Sequence, residues 1–333
     1  MSQLISAGGG GLFRTSEGSR ADAFGPVEWT LLVGVATIWG SSYLWIDLAL
    51  RGLHPGVVSV MRLALGLVAV LAVPASRRPI DRDDRRRVVA LGLGWITLPM
   101  ILFPIAQSLG VPSSLVGMLN GAMPLVATLF AALLLRRPPG PRQLGGVTIG
   151  LAGLVVIAAP KVALADATAL GVVMILTSMS INALFASVLV PLQQRYGALP
   201  VLRWAMSTAL VVALPFGAFG LARSEPTLVS LAALLPLGFA STGLGFVMWT
   251  TLVGRAGATR GSVVSYLVPV VAIVLGVGLL GEVVTAAELA GMALVLVGAW
   301  LITGREPRRA GARAADPAGG VAGQQGGGGG APS

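Results

Sequence analysis

The sequence predicts an all-α integral membrane protein whose ten transmembrane helices form two inverted five-helix repeats. Three observations predict it. Apolar runs of about twenty residues, the length of a membrane-spanning helix, recur along nearly the whole chain. Positive charge alternates between the segments joining those runs, and the second half repeats part of the first at a fixed offset.

The chain is 55% hydrophobic and only 11% charged, with a mean hydropathy of +0.86. Soluble domains carry about a quarter charged residues, so the charge deficit places these runs in lipid. With no water in the bilayer core, each run must be a helix that satisfies its own backbone. The windows fall at 29–50, 56–74, 88–107, 113–135, 143–160, 169–192, 200–222, 228–253, 259–281 and 286–303.

Ten spans bring both termini to one side. If that side is the cytoplasm, the inner segments hold 18 of the 23 basic residues, six of them in the loop SRRPIDRDDRRR. The outer loops hold only Arg51, Lys161 and Arg223, while Arg62 and Arg203 fall within spans. By the positive-inside rule, the chain is a multi-pass protein of the cell inner (plasma) membrane with both termini cytoplasmic. Residues 1–28 read as a cytoplasmic tail, since they lack the apolar core of a signal peptide. Residues 304–333, ending GQQGGGGGAPS, read as a disordered cytoplasmic tail.

The formal charge of +10 would suggest nucleic acid as a partner of a soluble protein. Here topology accounts for it, which leaves the lipid bilayer and a small-molecule substrate as the expected partners. The absence of cysteine excludes disulfides and thiolate chemistry, and His54 is the only histidine, so neither a metal site nor a cofactor is expected.

Sliding the sequence by 145 residues aligns Pro124 with Pro269, and from there to Ile157 and Ile302 ten of 34 positions are identical. Gly146/Gly291 and Gly153/Gly298 are among them. The arginines Arg62 and Arg203 are roughly equivalent as well. Residues 29–160 and 169–303 thus form two five-span repeats, and an odd number of spans inverts the second. Inverted repeats are a recurring device of secondary transporters. Pro124 and Pro269 then stand at matching places, where proline removes a backbone hydrogen bond and breaks or bends a helix. The matching helices end differently, at Arg136-Arg137 in the first and Gly281-Glu282 in the second. This follows from opposite sides of the membrane.

Trp39-Gly40-Ser41-Ser42, the arginine of the second span and the proline-containing fourth and ninth spans resemble the EamA family of the drug/metabolite transporter superfamily. The segment GRAGATRGSVVSYLVPVVAIVLGVGLLGE and the glycine-rich tenth span GMALVLVGAWLI carry the resemblance furthest. It covers about residues 29–303 and implies export or uptake of small metabolites. Arg136-Arg137 departs from the Gly-Glu that the family often has there, which favours a local structural role for Glu282.

Several polar residues lie where lipid would penalise them. Arg62 should face the bundle interior, as an anion-attracting group on the substrate path or as a paired structural arginine. Arg203 carries the same two readings nearer the cytoplasmic end. Asp47 is either a proton-coupling carboxylate or the ion-pair partner of Arg51, one helical turn away. Asn120 and Asn182 either bond neighbouring helices or line a wet path, while Gln107, at the end of the third span, either lines that path or sits at the interface. Trp39 and Tyr43, one turn apart, form either an aromatic wall for substrate or interface anchors. Gly117-xxx-Gly121 and Gly146-xxx-Gly150 permit close helix approach, and packing within the bundle is preferred to a dimer seam.

These features favour a secondary transporter moving a small metabolite, amino-acid-like or drug-like, by alternating access, with export the expected direction. No Walker A pattern is present, so ATP does not drive it directly. Proton coupling and facilitated exchange both fit. A membrane-embedded enzyme would need a nucleophile and base at membrane depth, and the spans hold one plausible carboxylate and no histidine. A non-transporting assembly or receptor protein would have no need of the repeat.

Overall fold

The computed structural model describes residues 25–126, 128–129, 140–162, 167–256 and 263–303. The two predicted tails, apart from residues 25–28, and Arg136-Arg137 lie outside these residues. Among the described residues the fold is all-α. Five segments, Pro26–Leu50, Arg82–Ser108, Pro141–Ala159, Ala198–Leu221 and Leu228–Leu252, are long and apolar enough to cross a membrane. Five shorter apolar segments fall in the remaining sequence windows.

Helix α1 (Pro26–Leu50) starts with proline at its first position, and Glu28 reaches back to accept a hydrogen bond from the Gly25 N–H at 3.1 Å. Helix α2 (Pro55–Leu71) is capped by His54, whose Nδ1 accepts from the Gly56 N–H. The third apolar segment joins α3 (Arg82–Leu91) to α4 (Leu98–Ser108) through a π-turn at Gly92–Thr97. Helix α5 (Ser113–Asn120) is interrupted at residues 121–122 before Met123 and Pro124 resume a helical path. Next come α6 (Pro141–Val162), α7 (Ala167–Tyr196) and α8 (Ala198–Leu221).

The eighth apolar segment repeats the pattern of the third. A π-turn at Pro236–Leu244 joins α9 (Leu228–Leu235) to α10 (Gly245–Ala256). Helix α11 (Val264–Leu280) runs through Pro269 without interruption and ends on Gly281, whose φ of +69° lies in the left-handed region that favours glycine. Helix α12 (Ala286–Thr303) opens with a reciprocal cap between Thr285 and Glu288.

Glycine sets the closest helix approaches. A Cβ at Gly146 would lie 2.7 Å from the Gly298 carbonyl oxygen, and one at Gly153 would collide with that of Gly291. As one partner number rises the other falls, so α6 and α12 cross antiparallel. Gly121 makes room for the Pro269 ring, 2.9 Å from where its Cβ would sit, and Gly117 for Ala272. All four glycines of the two small-residue patterns pack against other parts of this chain. Outside the core, Val211, Leu221, Val274, Leu279 and Trp300 are each more than 60% exposed. An apolar exterior on this scale fits a hydrocarbon surrounding and not water.

Polar contacts tie the two ends. At one end, Arg195 at the foot of α7 bonds Asp84 at 2.8 Å and Asp81 at 2.9 Å, and the Tyr196 hydroxyl donates to the same carboxylates. At the other, Glu282 accepts from the Ser113 and Ser114 N–H groups at 2.7 and 2.8 Å. That carboxylate caps the first turn of α5, where the helix dipole favours negative charge. Beside it, the loop before α2 meets the loop after α8: the Glu225 N–H donates to the Gly52 carbonyl and the His54 N–H to Ser224 Oγ.

Candidate functional site

Tyr43, buried on α1, is the hub. The Gln107 side chain at the end of α4 donates from Nε2 to the Tyr43 carbonyl at 3.0 Å. Because that partner can only accept, it also fixes which end of the amide is oxygen. The Tyr43 ring lies edge-on to Phe103 and borders Gly117 of α5, one turn before Asn120. Arg62 of α2 is close enough to Tyr43 to interact with it electrostatically.

Arg62 is 5% exposed, and Gln107 8%. The Arg62 Nε donates to Thr242 Oγ1 at 3.3 Å, while its Nη1 is buried with no hydrogen-bond partner. Gln107 Oε1 and Asn120 Nδ2 are likewise buried and unpartnered. No carboxylate among the described residues forms a salt bridge with Arg62. A buried guanidinium without an anion is costly, so this site holds an unmet demand for negative charge.

The second π-turn supplies the other wall. Trp39, one turn from Tyr43, donates from Nε1 to the Ser241 carbonyl at 3.2 Å. Its ring stands against Phe246 and Trp249, and Phe246 meets Trp95 of the first π-turn edge-on. The π-turns themselves are matched. Thr97 Oγ1 donates to the carbonyl of Gly92, and Thr242 Oγ1 to that of Leu237, each five residues back. Thr97 with Thr242, and Gly92 with Leu237, are pairs at the 145-residue offset. Such turns within helices are frequent at functional sites.

Of the residues singled out in the sequence, Trp39, Tyr43, Arg62 and Gln107 are linked through the contacts above, and Asn120 lies one turn along α5 from Gly117, which borders the Tyr43 ring. Arg203 stands apart: at the start of α8 its guanidinium lies 5.3 Å from the Trp204 ring, which Arg85 also approaches. Asp47 pairs with Arg51 at 3.2 Å on the exposed side of α1. Asn182 is half-buried on α7. Pro124 follows the interruption after α5, whereas Pro269 lies inside unbroken α11. Thr242, Ser241, Phe246 and Trp249 were not anticipated. Extending the 145-residue offset backwards to Thr97 would have signalled Thr242. Among the described residues, no cluster of His, Cys, Asp or Glu could hold a metal ion.

A helical bundle with an apolar exterior and polar groups in its interior defines a polytopic membrane protein. The chain belongs to the EamA-like transporter family, whose model matches it twice, at residues 28–159 and 169–304. A probable terminal-alkyne amino-acid exporter of Streptantibioticus cattleyicolor is 29% identical over 83% of this chain and 93% of its own length. A probable amino-acid metabolite efflux pump of Salmonella typhimurium is 25% identical, covering 85% and 95%. An uncharacterized transporter of Archaeoglobus fulgidus is 24% identical, covering 83% and 98%. One solved crystal structure of a protein shares the fold with a TM-score of 0.60 at 20% identity, over 82% of this chain and 95% of that one.

Proposed function

We propose that the protein is a secondary transporter that exports a small, amino-acid-like or amphipathic metabolite across the cytoplasmic membrane. It works by alternating access between two inverted five-helix halves, residues 29–160 and 169–303, with both termini cytoplasmic. The observation that carries this reading is the exchange of contacts between the halves. Gly146 meets Gly298 while Gly153 meets Gly291, and the 145-residue offset converts each contact into the other. A two-fold relation in the membrane plane produces this pattern, and it lets one half adopt the conformation of the other.

Solute would pass the Tyr43 cluster, against Trp39, Arg62, Gln107 and Asn120. Arg203 would act nearer the cytoplasmic end of the route, and Asn182 at mid-depth on α7. Asp47 would serve proton coupling only by leaving Arg51. The names of the relatives support an amino-acid-like cargo and outward direction. The deciding experiment reconstitutes the full chain in liposomes and follows a panel of labelled metabolites, with and without a pH gradient. At least one solute should cross and exchange with its unlabelled form, and no movement of any solute overturns the proposal. Reporter fusions at each terminus test the orientation, and a periplasmic signal from either one overturns it.

A further inference from the structure

We propose that an anionic phospholipid binds where α3 meets the start of α8, its phosphate on Arg85 and Arg203 and its acyl chains along the apolar surface beyond them. Trp204 organises the place. The Arg203 guanidinium lies over its ring at 5.3 Å from the centroid, and the Arg85 guanidinium at 5.7 Å. A guanidinium that meets a ring by its face keeps its N–H donors, which lie in its own plane, for another partner. Among the described residues neither arginine forms a salt bridge. The acids nearby are occupied: Asp84 accepts from Arg87, Arg195 and Tyr196, and Asp81 from Arg195 and Tyr196. Residues 77–87 and 195–203, which meet at this corner, carry eight arginines against three aspartates, a net charge of +5. What the corner lacks is an anion.

The surface beside it selects an amphiphile over a free anion. Arg85, Val89 and Leu93 recur at four-residue spacing, and the two apolar residues are 41% and 43% exposed. On α8, Val211 lies two turns beyond Trp204 and is 65% exposed. Gly92 packs on the Ala205 carbonyl and on Thr208, so the two helices lie in contact along this stretch. Each therefore carries a cation at its start and exposed apolar groups deeper in the bilayer, the order of a phospholipid from headgroup to chain. An inorganic anion or an acidic peptide would meet the charge and leave the apolar surface unused. Basic groups at a membrane face attract anionic lipid, each by about fivefold in affinity. The site requires nothing of the transport reading, and the proposed orientation only assigns it to the inner leaflet.

Native mass spectrometry of the purified full chain in neutral detergent counts bound lipid, with melting temperature followed in parallel. The probes are phosphatidylglycerol, phosphatidylcholine with the same acyl chains, and inorganic phosphate. Phosphatidylglycerol should bind more tightly than phosphatidylcholine and raise the melting temperature further, and inorganic phosphate at the same concentration should not raise it. Arg85→Gln and Arg203→Gln should each weaken phosphatidylglycerol binding about fivefold, and together about 25-fold, with phosphatidylcholine unaffected. Trp204→Leu, which keeps both charges and removes the ring that holds them, should weaken it too. Arg223→Gln, at the opposite end and stacked on Phe219, should not. Raising the ionic strength from about 0.05 to about 0.5 M should reduce the preference in the parent chain, a result that needs no variant.

Equal affinity for the two lipids, the same response to inorganic phosphate, or a preference that survives loss of both arginines overturns the inference. Loss of the lipid preference with solute flux intact would leave the transport reading standing and remove this one. A lipid preference in a chain that moves no solute would do the reverse.

Discussion

Thr97 and Thr242 stand 145 residues apart, and each hydroxyl closes on the carbonyl five residues before it. Their neighbours differ. The turn at Thr97 leans on α8, where Gly92 admits Thr208 and the Ala205 carbonyl. The turn at Thr242 leans on α2, where Gly66 admits the Thr242 side chain and Arg62 reaches its hydroxyl. The first turn thus meets neutral groups, the Phe185 ring at Gly94 included, and the second a buried cation. Arg203, on the helix beside the first turn, is stacked on Trp204 at that helix's start. The frame is repeated in both halves, and the buried charge is not.

If the frame is shared, damage to it should be symmetric, and the largest effect belongs there. Gly153→Leu and Gly298→Leu, equivalent positions in the crossing of α6 and α12, should each lose folded protein. The cost is at least the roughly 1–3 kcal/mol of overpacking, because backbone blocks the new side chain. Gly145→Ala, one residue from the crossing and with nothing within 4 Å, should melt at or above the parent temperature. Melting curves in detergent measure all three. Unequal losses at Gly153 and Gly298 would break the symmetry.

Glu282 comes next, as an asymmetric strut. It fastens the end of α11 to the first turn of α5. Glu282→Ala should cost about 0.5–2 kcal/mol, as removal of a helix cap does. Glu282→Gln, which keeps an acceptor but not the charge, should cost less. A Glu282→Gln variant that melts with the parent would show that the charge contributes nothing.

The paired threonines sharpen the comparison further. Thr97→Val and Thr242→Val each remove one hydroxyl bond to a carbonyl, and each should cost about 0.5–1.5 kcal/mol. Only Thr242→Val should also change solute flux in liposomes. A matching change in Thr97→Val would place receptor chemistry in both halves.

The helical class, the family and the polar residues Arg62, Gln107 and Asn120 within apolar runs were legible in the sequence. Lipid makes each polar residue in an apolar run conspicuous, and Trp39 and Tyr43 share a helix face at one-turn spacing. What was illegible depends on backbone detail. A π-turn differs from an α-helix by one residue per turn and leaves no hydrophobic period. Thr97 and Thr242 therefore looked like ordinary helix residues. The two prolines taught the reverse lesson: identical residues at matching places, yet α5 stops before Pro124 while α11 continues through Pro269. Gly121 accepts the Pro269 ring, so packing from the other half decides what the proline does.

His54 gives the smallest effect, confined to the end where Glu282 also lies. The neutral ring accepts the Gly56 N–H at Nδ1 and is flanked edge-on by Phe216 and Phe219. Partial burial, and then the positive charge of Arg223, hold its pKa below the ordinary value. The unfolded chain takes up a proton near pH 6.5 that the folded chain still refuses. The stabilisation is therefore complete above about pH 6.5 and fades as pH falls through the folded value. Melting temperature measured from pH 8 to pH 5 should decline over that interval. His54→Asn, which keeps a capping acceptor but cannot titrate, should flatten the decline. An unchanged slope in His54→Asn would assign the pH dependence to other groups.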